Sequence, residues 1–229
     1  MATLKDILNK KAEQAERADR PKVDWFTLKP NQEKRIKFLQ ELDTDMRNYD
    51  STRGTALFLV EHTSAEEYTR RAECSFEAEG RCFACEMDEI QPSIEEKNNT
   101  RWHPWGQKTN MYIHVVDEDG KVTVLSRSAP GKFFDAIYEE AVEENDNSLT
   151  DLTFKIKKGP QQNSPWEIKA TKQSFEVPEI AELVDLETAV GRKVPYADQK
   201  KFYLPKGVAT EAPAETPKAD TATDSALDW

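Results

Sequence analysis

Read for the spacing of its apolar side chains, the chain sets short stretches of period two among three of helical period. Residues 4–18 place Leu4, Ile7, Leu8, Ala12, Ala15 and Ala18 at helical intervals among Lys and Glu, predicting a short amphipathic helix that Asp19, Arg20 and Pro21 end. Residues 25–39 read as strand, turn, strand, with Ile36 and Phe38 alternating against Arg35 and Lys37 to give one apolar and one positive face. Residues 55–62 (TALFLVEH) form a continuous apolar run, the pattern of a buried strand that delivers His62 at its end. Residues 110–117 and 122–126 flank Glu118-Asp119-Gly120-Lys121 and predict a hairpin with Asp-Gly chemistry at its apex. A helix over 133–144 follows Pro130-Gly131-Lys132, with Phe133, Phe134, Ile137, Tyr138 and Ala141 on one side. Residues 152–158 and 166–171 make a second strand pair, and a further helix is predicted over 179–190.

Strand pairs at short spacing around one helix predict a mainly β fold with α: an OB-fold-like small β-barrel, with an SH3-like barrel or a plain sandwich fitting the same pattern. The expected organisation is a basic N-terminal arm over 1–22 and a barrel core over 23–177 holding a cysteine-bearing subdomain at about 58–92. A C-terminal helix and connector over 178–206 and a disordered acidic tail over 207–229 complete it.

Charge narrows the class. The 229 residues carry a net charge of -11, which excludes a uniformly basic nucleic-acid binder and demands that any phosphate-binding surface be a local stripe. Residues 208–229 are acidic, with Glu211, Glu215, Asp220, Asp224 and Asp228 against Lys218. A mean hydropathy of -0.80, with no apolar run long enough to cross a bilayer, predicts a soluble chain. The charged N-terminus lacks the apolar region of a secretory leader, so a cytoplasmic location is expected.

His62, Cys74, Cys82 and Cys85 lie close in sequence, the last two as Cys82-Phe83-Ala84-Cys85, and all 3 cysteines of the chain are used. One imidazole and three thiolates suit tetrahedral zinc. A free Cys82 and Cys85 pair in thiol exchange, or cysteines merely packed in a core, are the bland alternatives, and His103 is a competing fourth ligand. His114, inside a strand run, reads as a facing residue. Zinc deaminases need His-x-Glu followed by Pro-Cys-x-x-Cys; here Thr63-Ser64 follow His62 and Arg81 precedes Cys82. With four protein ligands the ion, one Zn2+, is expected to be structural and the protein not an enzyme.

Aromatic and basic residues interleave around Arg101, Trp102, Trp105 and Lys108, around Lys155 and Lys157, around Arg70 and Arg71, and around Arg35 and Lys37. Aromatics that stack on unpaired bases beside cations that follow phosphates need no sequence reading. Tyr112, Arg127 and Lys132 complete the candidate DNA-binding set, and Asp224, Asp228 and Trp229 at the chain's tip are candidate partner contacts.

The order His62, Cys74, Cys82-x-x-Cys85, between an N-terminal strand region and a later β-rich region, resembles the zinc-containing single-stranded-DNA-binding proteins of T-even-type bacteriophages. Residues 111–117, 122–126 and 154–158 are similar to barrel strands of that group, and the resemblance spans about residues 25–171. It implies an OB-fold groove for single-stranded DNA with a zinc subdomain as one wall, serving phage DNA replication, recombination and repair. It also implies self-association through Lys5, Lys10, Lys11, Arg17, Arg20 and Lys22 in the arm, and recruitment of replication or recombination proteins by the tail. The rival expectation is a zinc-stapled regulator that binds a host polymerase or nuclease instead of DNA.

Overall fold

The structure is a computed structural model describing residues 11, 20–64, 71–90, 94–95, 101–102, 105–180 and 182–204; of Ile94, Glu95, Arg101 and Trp102 it describes the backbone alone. The helix predicted over 4–18, apart from Lys11, and the tail over 207–229 lie outside these residues.

Seven strands form one antiparallel sheet in the order β3-β2-β6-β1-β8-β9, with β7 on β6. They are β1 (Glu33–Phe38), β2 (Leu57–Thr63), β3 (Arg71–Glu73), β6 (Lys108–Asp117), β7 (Val122–Ser128), β8 (Thr153–Lys158) and β9 (Trp166–Thr171). β4 (Ile94–Glu95) and β5 (Arg101–Trp102) pair separately. The long strand β6 organises the sheet. Asn110 to Val116 pair with β7, while the opposite edge is shared end to end by β2, at Lys108 to Tyr112, and β1, at Val115 to Asp117. β1 in turn divides its length between β6 and β8.

The expected closed barrel does not form: among the described residues β7 and β9 do not pair, and the sheet stays open. Two features take the place of that pairing. The free edge of β7 is occupied by residues 24–26, whose Phe26 amide donates to Val124 O at 2.9 Å and whose Asp24 carbonyl accepts from Val124 N at 2.8 Å. The gap itself is filled by α3 (Lys132–Tyr138), which packs on both β7 and β9. The strand predicted at residue 25 is therefore a single bridge, not a ladder. Helix α3 runs on as a π-helical turn, Glu139–Glu143, close to the extent that its apolar spacing predicts.

Period-two alternation places Ile36 and Phe38 of β1, Met111, Ile113 and Val115 of β6, Leu125 of β7, and Phe154 and Ile156 of β8 in one core, closed by Ile137 and Ala141. Glu41, buried past the end of β1, accepts from Ser148 Oγ, Leu149 N, Thr150 N and Thr150 Oγ1 at 2.6–3.1 Å, which offsets the desolvation of its charge. The opposite sheet face carries a smaller cluster of Leu59, Tyr112, Val124 and Leu186. A second lobe gathers around α1 (Phe76–Glu79), α2 (Phe83–Ile90) and α5 (Tyr196–Tyr203).

The helix predicted over 179–190 shortens to α4 (Leu186–Val190). Asp185 accepts from the Thr188 amide at 3.1 Å and so starts the helix there. Upstream, residues 172–180 run without regular structure past the sheet, with Lys37 above the Phe175 ring and Pro178 beside Gly120.

At the β6–β7 turn the Asp117 carboxylate accepts from Lys34 Nζ, from Lys121 N at 2.9 Å and from Asp119 N at 3.1 Å, while Gly120 takes a positive φ of 78°. Burial alone would raise the Asp117 pKa, but the Lys34 and amide hydrogen bonds outweigh it and hold it below the ordinary 3.8. Its stabilisation is therefore present above that value and lost as pH falls through the folded pKa. Lys34, raised chiefly by the same bond, loses its share only in strong alkali. Asp117→Asn is expected to cost about 1–2 kcal/mol at pH 7 in urea unfolding, and to flatten the loss of stability below about pH 4.

Candidate metal centre and an aromatic face

Each ligand residue is set in place by a local device. His62 stands on β2 opposite Ala72 of β3. Just past β3, the Cys74 amide donates to Val60 O at 2.8 Å, which holds the next residues against β2. The single turn α1 then reverses the chain and ends at Gly80, whose φ of 68° is the left-handed cap that a side chain would strain. Cys82 immediately precedes α2, and Cys85 sits in its first turn, so the x-x spacing turns both sulfurs to one side.

The four ligand atoms lie within 4.8 Å of one another. Cys74 Sγ is 3.6 Å from Cys85 Sγ, and Cys85 Sγ is 3.4 Å from His62 Nε2. Tetrahedral thiolates at bonds of about 2.3 Å set sulfurs roughly 3.7 Å apart, so the group can hold a metal ion. His62 Nδ1 donates to the Trp105 carbonyl at 2.6 Å, which fixes the ring and turns the Nε2 lone pair toward the sulfurs. Gln107 Nε2 donates to Cys85 Sγ at 3.3 Å and Cys74 Sγ at 3.5 Å, the outer support expected around thiolate ligands. His103 lies outside the described residues, and buried His114 faces Gln40 Oε1 at 2.9 Å instead of joining the group.

Protonation of the metal-free group follows from crowding. Burial would lower the His62 pKa, but hydrogen bonds and charge from Cys82 and Cys74 reverse this and raise it. Burial would raise Cys82, but His62 and the Cys85 amide pull it down. Cys85 is pushed up by burial and by the neighbouring sulfurs, against the Gln107 hydrogen bond. A divalent ion bound here would offset the burial and sulfur crowding that push Cys85 up.

The nucleic-acid candidates divide. Trp105 is 1% exposed, packed edge-on against Phe83 in the metal lobe, so it cannot stack on a base. Tyr112 is likewise corrected: it is buried on the sheet, its hydroxyl donating to buried Glu61 at 2.7 Å. Arg127 lies half-buried with its guanidinium 3.5 Å from the Trp166 ring centroid and 5.3 Å from that of Phe133, at the gap between β7 and β9; burial pulls its pKa to about 10. Arg35 pairs with Glu118, Lys155 with Glu33, and Lys37 leans on Phe175. Lys108, Lys132 and Lys157 are exposed and form no ion pair among the described residues, and Arg71 is half-buried. Arg101 and Trp102 lie in β5, and Arg70, Asp224, Asp228 and Trp229 are outside the described residues.

An aromatic row on the sheet was not among the sequence candidates. On β2, Phe58 (38% exposed) and Val60 remain open to solvent. Phe58 meets Phe134 edge-on at 5.9 Å, and Phe134 meets Tyr138, 45% exposed, at 6.1 Å. From Phe58 the surface continues into a cleft of about 340 Å³ lined by Val60, Phe76, Cys74 and Gln107. Phe76, 56% exposed, thus joins the row to the candidate metal centre through Cys74. The run over 55–62 is therefore not buried on both faces as expected, because nothing described covers Phe58 and Val60.

No family model, curated protein or solved structure matches the chain. No helix among the described residues is long and apolar enough to cross a membrane.

Proposed function

We propose that this protein binds single-stranded DNA without sequence preference, on the row formed by Tyr138, Phe134, Phe58 and Phe76, and that it does so without catalysis. The observation that carries this reading is the row itself: exposed Tyr138, Phe58 and Phe76, with half-buried Phe134 between Tyr138 and Phe58, continuing into a cleft beside the candidate metal centre. Exposed apolar surface of this kind marks a binding site. Rings in series suit successive unpaired bases, since every base offers a π-face, whereas a duplex keeps those faces stacked inside. Exposed Lys132 at the start of α3 supplies a cation on the element that carries two of the rings. The resemblance to the zinc-containing single-stranded-DNA-binding proteins of T-even-type phages points the same way, and with it the reading of the open seven-stranded sheet as an opened OB-type barrel.

The ion in this reading is Zn2+. Three sulfurs and an imidazole form a borderline-soft tetrahedral set that suits an ion without geometric preference of its own, and four protein ligands leave no position for a reacting water. Its role is to staple α1 and α2 to β2 and so hold Phe76 at the end of the row.

Anisotropy of labelled oligo-dT tests the proposal. Saturable binding is expected, weakening with salt at a slope near -0.7 per phosphate contacted, with duplex of equal length binding at least about tenfold more weakly. Equal affinity for both sinks the single-strand reading, and no binding to oligo-dT sinks it in favour of a protein partner.

A further inference from the structure

Helix α5 lies far in sequence from the metal ligands yet touches each stretch of chain that carries them. Gln199 is fully buried. Its Oε1 accepts from the Phe83 amide at 2.9 Å, between Cys82 and Cys85, and its Nε2 donates to Ser75 Oγ at 2.7 Å, next to Cys74. Ser75 Oγ donates onward to the Arg81 carbonyl at 2.6 Å, closing the loop that leads into Cys82. Tyr203, also fully buried, sets its ring edge-on to His62 at 6.2 Å, and its carbonyl accepts from Ser64 Oγ at 3.3 Å, beyond the end of β2. At the solvent side Tyr196 donates to Glu86 on α2 at 2.6 Å. Phe202, Tyr203 and Leu204 share one apolar cluster with Cys82, Phe83 and Met87.

We infer that α5 is a strut of the metal centre, with Gln199 and Tyr203 as positioning residues, so that ion binding and docking of this helix are linked. The inference rests on the metal reading of the four ligands but not on DNA binding. Gln199 satisfies one of the orphan amides at the start of α2 while gripping the Cys74 loop, and so sets the distance between two ligand-bearing segments. Tyr203 limits how the imidazole can turn. By linkage, whatever the helix contributes to ion affinity the ion returns to helix docking.

Two measurements on the full chain test it. In competition with a chromophoric chelator, Gln199→Ala and Tyr203→Ala are expected to weaken Zn2+ binding about 10–100-fold. Tyr203→Phe, which keeps the ring, should stay within about threefold of wild type and retain the Co2+ absorption spectrum of the unaltered site. In hydrogen exchange on the wild type, chelation should deprotect residues 196–204 together with 82–90 while β1 and β8 stay protected. That measurement decides the matter even where the alanine variants fold poorly. An α5 that keeps its protection after the ion leaves, or alanine variants with wild-type affinity, overturns the strut. A wild-type chain that takes up no ion overturns the metal reading itself.

Discussion

Cys82→Ser is expected to abolish stoichiometric ion binding and to melt the lobe around α1 and α2 while leaving the seven-stranded sheet folded. Cys82 is the most deeply buried of the three sulfurs, 1% exposed, and the one that His62 and the Cys85 amide draw toward the thiolate. A serine hydroxyl keeps the shape but does not ionise near neutral pH, so the ion loses a charged ligand and the remaining sulfurs lose the cation that offsets their crowding. Structural zinc contributes roughly 10–16 kcal/mol in small domains. Losing even about 2 kcal/mol of such a contribution lowers the melting temperature of a chain this size by roughly 4–8 °C. Metal analysis should find no bound equivalent, and chelation of the wild type should reproduce the thermal shift. One retained equivalent of metal in the variant, with an unchanged melting temperature, would show that the four residues are only core. Acidification acts in the same direction, because protons compete for each ligand as pH falls.

The convergence of His62 with the three cysteines was legible because its information is local. Cysteine is scarce here, its three copies fall close together with His62, and the x-x spacing in a helix's first turn dictates where two sulfurs point. The strands of the two hairpins were legible for the same reason, since alternation and turn residues act over a few positions. Burial was less so. Residues 55–62 are apolar at nearly every position, and only the long-range fact that nothing described lies over Phe58 and Val60 distinguishes an open face from a covered one. Trp105 presents the converse: beside Arg101 and Lys108 it reads as a stacking ring, yet its indole is buried edge-on against Phe83 in the second lobe, a contact 22 residues away in sequence. Closure of the barrel failed on an equally distant contact, residues 24–26 reaching the edge of β7. In residues 179–190 the apolar residues keep helical spacing throughout, yet among the described residues the helix forms only from Leu186, which has Tyr112 and Val124 to pack against.

Tyr138→Ala and Phe58→Ala are expected to weaken oligo-dT binding by about 1–3 kcal/mol each, or roughly 5–150-fold. Tyr138 is the cleaner test, since it is exposed and lies outside the buried core, so its removal leaves the core intact. Phe58 also supports Phe134, so its variant reports the loss of one ring and the loosening of the next. The salt slope should not change in either, because truncating a ring removes no phosphate contact. Trp25→Ala provides the decisive comparison. Trp25 is 46% exposed, but it packs beside Tyr112, on the sheet face away from the main core and from α3. A general taste of DNA for exposed aromatics would make the three variants alike. A strand that follows one face loses affinity with Tyr138 and Phe58 and keeps it without Trp25. If instead both Tyr138→Ala and Phe58→Ala bind oligo-dT like the wild type, the rings serve another partner and the nucleic-acid reading of this face fails.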